Sequence, residues 1–113
     1  MSYVIHHPSQ PTFSRVDVTG TIFPTTDLIH STEFLLIETK IGHETTIIEE
    51  ACDFCYFILE GSGYFIVKGQ KETCEVGDLV IIPKGTPFTY KGQLKILLSV
   101  TPPFYPEQEV VVK

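Results

Sequence analysis

Few side chains in this sequence can do chemistry, and their spacing limits what they can do. Cys52-Asp53-Phe54-Cys55 has the Cys-x-x-Cys interval. On a turn or helix start that interval suits zinc binding or thiol redox chemistry. Here Cys55 falls inside an apolar run with strand character, so it faces away from Phe54 and cannot act jointly with Cys52. Cys74 alone is left to complete a site. His6 and His7 sit beside Pro8 in an extended arm, where neighbours point to opposite sides, and they read as solvated. His30 and His43 are isolated. His43, just after Gly42, stands within reach of a cavity mouth but is read as a surface residue. Glu49 and Glu50 close a β-branched run. No phosphate-cradling loop, nucleophile elbow or helix with paired histidines occurs.

The elements that must position these groups are strands. The chain has 113 residues, enough for one domain (1–113) and one modest core. Its formal net charge of -6 argues against nucleic acid or an anionic membrane as partner. Apolar runs such as Ile96-Leu97-Leu98 are too short to span a bilayer, and no signal peptide is expected. Three cysteines without disulfide-dense spacing suggest a reduced, cytoplasmic chain.

Residues 1–29 are the least regular part, interrupted by Pro8, Pro11 and Pro24, with an edge strand expected over Phe13–Val18. Strong strands are expected over Glu33–Ile41 and Phe54–Leu59, with Thr45–Ile48 also extended. Glu60-Gly61-Ser62-Gly63 reads as a tight turn, with Tyr64–Val67 returning as a hairpin. Lys68-Gly69-Gln70-Lys71 reads as the next turn, leading to a strand over Glu72–Val76. Gly77-Asp78 then feeds Leu79–Ile82, expected to be buried on both faces and stopped by Pro83 and Gly85. Gly92-Gln93 reads as a turn into Lys95–Val100. The prolines of Thr101–Pro106 end sheet pairing, and Val110–Val112 fits a last edge strand in the tail, 101–113. Eight or nine strands, no helical period, no repeat and no linker describe an all-β domain.

The glycine and proline spacings resemble those of the cupin family, small jelly-roll barrels also described as double-stranded β-helices. Gly42 and Gly61 stand at the separation of the family's first motif. Gly77, Pro83 and Gly85 match its second, and Tyr56 to Gly61 resembles the entry to its hairpin. The resemblance covers residues 33–100. It implies four metal-ligand positions, filled here by Ile48, Glu50, Phe54 and Phe88. Isoleucine and phenylalanine offer no lone pair, so no metal and no cofactor is expected.

If Phe54 and Phe88 point inward as the ligands they replace, alternation brings Tyr56, Ile58 and Tyr90 inward with them. By the same rule Ile48 and Glu50 share a face. The expected cavity is therefore lined by Ile48, Glu50, Phe54, Tyr56, Ile58, Phe88 and Tyr90. Apolar walls with one carboxylate and two phenols suit a small organic molecule. The competing reading is that the aromatic rings simply fill the barrel. Three functions are consistent with this pocket. One is a metal-independent binding module. Another is a metal-free isomerase, epimerase or lyase in which Glu50, its pKa raised by desolvation, exchanges protons with Tyr56 or Tyr90. The third is a metalloprotein with a non-standard site of Glu50, His43 and Cys52. The histidine–acid pair used by metal-free epimerases of the family is not evident. On the outward faces, Cys55, Phe57 and Leu59 with Leu79 and Ile81 form a second apolar surface, so a homodimer is expected with Phe57 near its interface.

Overall fold

The computed structural model describes residues 3–6, 8–15, 18–25, 28–43, 45–103 and 109–112. Among the described residues nine strands follow in chain order: β1 (Phe13–Arg15), β2 (Val18–Ile22), β3 (Glu33–Thr39), β4 (Thr46–Glu49), β5 (Asp53–Val67), β6 (Gln70–Glu75), β7 (Leu79–Ile82), β8 (Phe88–Thr101) and β9 (Glu109–Val112). The described residues contain no helix, hence none long and apolar enough to cross a membrane. All strand pairings are antiparallel.

The long strands β5 and β8 organise the sheet. They pair along their lengths, from Asp53 opposite Thr101 to Val67 opposite Phe88. Each has different outer neighbours in its two halves. β5 pairs β7 over Phe54–Phe57 and β6 over Ser62–Val67. β8 pairs β3 over Leu94–Val100 and meets β4 at Phe88. The sheet continues from β3 through β2 to β1, and from β4 to β9. Val110–Val112 is thus part of an edge strand, as expected.

The turn expected at Glu60–Gly63 is not a turn. β5 runs straight through it, with a register shift between Ile58 and Glu60. The glycines serve backbone approach instead. A Cβ on Gly61 would lie 1.9 Å from the Gln93 carbonyl oxygen, and one on Gly63 2.1 Å from that of Lys91. Only residues without a Cβ let two strands close on each other at such an irregularity. Gly92, opposite Gly63, is likewise inside β8 rather than at a turn. The real reversal is Lys68-Gly69, with φ of 51° and 79° between paired Val67 and Gln70. Two positive φ values match the right-handed strand twist of a two-residue hairpin. At the N-terminus the expected edge strand is two strands, with Arg15 paired to Val18. His7, Val16, Asp17 and Phe104–Pro106 lie outside the described residues.

Inward side chains stack in rungs across β3, β8, β5 and β7. One rung is Glu33, Val100, Phe54 and Ile82; the next is Leu35, Leu98, Tyr56 and Val80. Ile37, Ile96 and Ile58 continue the series. On the opposite face, Phe57, Leu79 and Ile81 are 40%, 58% and 57% exposed. The outer face of β7 is therefore exposed rather than buried as expected.

The register of β4 also differs from expectation. Ile47 and Glu49 are buried, whereas Ile48 is half-buried and Glu50, one residue beyond the strand, is exposed. The sequence Ile-Ile-Glu-Glu reads apolar-then-acidic in either register, so its pattern does not choose a face. A slip of one residue inverts every side chain. The pairing of Ile47 with Phe88 and the hydrogen bond from Gly85 N to Glu49 O (2.8 Å) make the choice.

Candidate functional site

A cavity of about 320 Å³ opens inside the barrel. Its size lies at the small end of the range for small-molecule sites. Leu35, Ile37, Leu98 and Val100 form one wall, from β3 and β8. Ile47 contributes from β4, and Phe54 and Tyr56 from β5. Phe13, Val18 and Ile22 of the β1–β2 hairpin close the side. The polar groups in this lining are Glu33, His43, Tyr56 and Tyr90.

Of the residues named from sequence, Phe54, Tyr56 and Tyr90 border the cavity. Ile58 and Phe88 point inward as expected, but they are fully buried beside it rather than lining it. Phe88 packs 5.9 Å from both Phe54 and Tyr56, ring centroid to ring centroid. Tyr56 also meets Phe65 at 5.2 Å and Tyr90 at 5.7 Å. These tilted and edge-on separations are those of favourable aromatic pairs. Both readings of the aromatic set therefore hold in part: Phe65 and Phe88 fill the barrel, while Tyr56 and Tyr90 face open space. Ile48 and Glu50 do not line the cavity, because β4 presents its other face to it.

His43 is the residue that sequence reasoning misplaced. Its position follows from Gly42. With φ of 106°, Gly42 forms a bridge to Lys91, where a Cβ would stand 2.2 Å from the Tyr90 carbonyl oxygen. This close approach runs His43 alongside β8. His43 N donates to Tyr90 O at 2.8 Å. Its own carbonyl accepts from Thr89 Oγ1 (3.0 Å) and Lys91 Nζ (2.7 Å). The ring lies 5.6 Å from the Tyr90 ring. Nδ1 is 2.7 Å from Thr45 O, and a carbonyl only accepts, so Nδ1 carries the hydrogen. In the neutral ring the lone pair is then on Nε2. The motif glycine just before His43 was the available signal.

Other buried polar groups lie outside the cavity lining. Glu49 Oε1 accepts from Ala51 N at 2.8 Å. Burial, followed by the Glu49 carboxylate, pushes the Cys52 thiol up to about 11. Burial likewise raises Cys74. Cys52 is buried before β5 starts, while Cys55 is half-buried on the outer face, so the Cys-x-x-Cys pair is divided. None of the three cysteines is in a disulfide.

At the four positions where the cupin resemblance implies metal ligands, Ile48, Phe54 and Phe88 have no lone pair for a metal, and Glu50 is exposed. Among the described residues no three His, Cys, Asp or Glu side chains converge on one point. The combination of Glu50, His43 and Cys52 is not assembled either, since Glu50 faces solvent and does not line the cavity beside His43.

Solved structures resemble this chain over its whole length. The fold is the cupin-type all-β double-stranded β-helix. Pac13, a nucleoside dehydratase, superposes with a TM-score of 0.88 at 19% identity, covering 100% of this chain and 92% of Pac13. Variants of Streptomyces Pac13 with uridine superpose at 0.89 and 18% identity, with the same coverage. KdgF from Halomonas sp. follows at 0.76 and 14% identity, over 92% of this chain and 96% of KdgF. In sequence, 61 residues are 31% identical to an uncharacterised protein of Aquifex aeolicus (strain VF5). That match covers 52% of this chain and 50% of the relative, so the chain spans about half the length of the curated relative it matches. No family model matches.

Proposed function

We propose that this chain binds a nucleoside-like molecule in its barrel cavity and catalyses a metal-independent elimination on it, the reaction class of a dehydratase. The observation that carries this reading is the trio His43, Tyr56 and Tyr90. Pac13 has been solved with uridine in one form with a histidine changed to glutamine and in two with different tyrosines changed to phenylalanine. Along Pac13 those three positions are separated by thirteen and thirty-four residues. From 43 to 56 and from 56 to 90, the intervals in this chain are the same.

The geometry suits the chemistry. Dehydration needs a base for a carbon-bound proton and an acid for the departing hydroxyl. Nε2 of His43 takes the proton, and the C–H electron pair becomes the new C=C bond. The imidazolium returns that proton to the leaving oxygen as the C–O bond breaks, releasing water. The phenols of Tyr56 and Tyr90 donate hydrogen bonds to oxygen that gains negative charge. Glu50, outside the cavity, has no part in this scheme.

Titration calorimetry with uridine, and mass spectrometry on a nucleoside carrying an oxidised sugar carbon, test the reading. Uridine binding with loss of one water from the oxidised nucleoside is expected. Binding without water loss makes the chain a binding module. Absence of uridine binding overturns the proposal.

A further inference from the structure

Phe13 is the first residue of β1 and belongs to the cavity lining, half-buried against the core. Its partner across the strand pair is Gly20 of β2. A Cβ on Gly20 would stand 2.0, 2.2 and 2.8 Å from Cζ, Cε1 and Cε2 of the Phe13 ring. The outer end of the ring therefore lies over the Gly20 backbone, in space that any other residue would fill. Gly20 is not among the glycines of positive φ, so it serves here for room and not for a turn. Thr12, next before the ring, is fastened twice to β2. Its N–H donates to the Gly20 carbonyl and its Oγ1 accepts from Ile22 N, each at 2.8 Å. The ring is thus backed by one strand and anchored through its chain neighbour.

The other rings of the lining are engaged with one another. Phe54 meets Tyr56 and Phe88 edge-on, and Tyr56 and Tyr90 meet each other and Phe65. Among the described residues no ring pair includes Phe13. Phe13 also belongs to the far side of the cavity from the phenols. Ile22, on the same face of β2 as Gly20, is separated from Tyr56 by Leu35 and Leu98. Those three strand spacings amount to about 14 Å along the curved sheet. The cavity thus has a phenol–imidazole side and a phenylalanine side, with aliphatic wall between. A nucleoside is divided in the same way, into a polar sugar and a flat, unsaturated base. Aromatic side chains hold such bases by stacking, independently of the base's hydrogen-bonding edge. Taking the nucleoside-like ligand proposed above as given, we infer that Phe13 is the base-recognition residue: its ring, backed by Gly20, stacks on the base and so turns the sugar toward His43, Tyr56 and Tyr90.

Calorimetry with uridine and with 5,6-dihydrouridine tests this. The second compound keeps the sugar and both base carbonyls, but its base is saturated and no longer flat. The wild-type chain should bind uridine about tenfold or more tightly than dihydrouridine, as expected for one stacked base. In Phe13→Leu, which keeps apolar bulk, that preference should shrink to within about threefold through weaker uridine binding. Phe13→Trp gives the chain its only tryptophan, and uridine should quench its fluorescence. If the wild-type chain binds both compounds alike, the assignment of Phe13 is overturned while the nucleoside reading stands. The same holds if Phe13→Leu, with an unchanged melting temperature, keeps the preference, or if Phe13→Trp binds uridine without quenching. If the wild-type chain binds neither compound, both proposals fall.

Discussion

His43 and Tyr90 are joined twice. The His43 backbone N–H donates to the Tyr90 carbonyl at 2.8 Å, and the two rings stand 5.6 Å apart in the cavity wall. The first contact fixes the second. An edge segment outside any named strand is held to β8 by backbone, and its imidazole is thereby set beside a phenol on a rigid element. Precise placement of this kind is what catalysis by positioned groups requires. Tyr90 in turn meets Tyr56 across the barrel, so the trio is one packed unit rather than three separate side chains.

His43→Gln should abolish elimination, by about 10²-fold or more, while leaving uridine binding within a few-fold of wild type. Tyr56→Phe and Tyr90→Phe should each lower turnover by about tenfold or more, as expected for removing a donor to a developing charge. Single-turnover kinetics beside calorimetry separates the two effects. A His43→Gln protein with undiminished water loss would remove His43 from the mechanism.

Gly42→Ala should destabilise the fold and disturb the site together. The added Cβ would meet the Tyr90 carbonyl oxygen at 2.2 Å, at a φ of 106° that alanine rarely adopts. Strain and overpacking of this kind cost about 2–4 kcal/mol. Gly77→Ala is the control. Its φ of 93° carries the same conformational strain, but nothing lies within 4 Å of the new Cβ, so its cost should be about 1–2 kcal/mol. Urea denaturation of the two variants compares them directly; equal losses would show that the close approach to β8 is unimportant.

Stability should fall as pH rises from about 9 toward about 11. The buried Cys52 thiol has its pKa raised from 9.0 to about 11 by desolvation and then by Glu49. The folded state therefore holds this proton more tightly than the unfolded chain. The resulting stabilisation is complete below the unfolded value and disappears as pH climbs through the folded one. Its size is about 2–3 kcal/mol. Cys52→Ala should flatten this part of the pH profile in chemical denaturation, and an unchanged slope would count against it.

A second copy of this chain is our proposed cover for the outer face of β5 and β7. Phe57 stands opposite Leu79 on one side and Leu97 on the other, with Cys55 opposite Ile81. This apolar row can meet its own copy across a two-fold axis. Phe57→Lys should weaken such a dimer by about 2 kcal/mol or more, as for a central aromatic anchor. Sedimentation equilibrium reads the outcome; a wild-type monomer at micromolar concentration would refute it.

Much of the barrel was legible because it rests on local rules. Alternation along Phe54–Leu59 separated Phe54, Tyr56 and Ile58 from Cys55, Phe57 and Leu59, and the structure keeps that division. Lys68-Gly69 announced its hairpin through the one residue type that adopts positive φ freely. The spacing of Gly42, Gly61, Gly77, Pro83 and Gly85 pointed to the cupin fold. Two aromatic members of the cavity, Tyr56 and Tyr90, followed from the same alternation.

What the sequence left open, pairing between distant strands decided. Ile47-Ile48-Glu49-Glu50 has the same polarity pattern in both registers, and pairing with distant residues, Phe88 and Gly85 among them, turns Ile47 and Glu49 inward. Gly61, Gly63 and Gly92 look like turn residues locally. They are close-approach residues, because the carbonyls that forbid a Cβ come from about thirty residues away in the facing strand. His43 carries no periodic signal at all. It reaches the cavity because a backbone bridge from Gly42 to Lys91 brings a loop against β8, and Gly42 beside it is the one mark that contact leaves in the sequence.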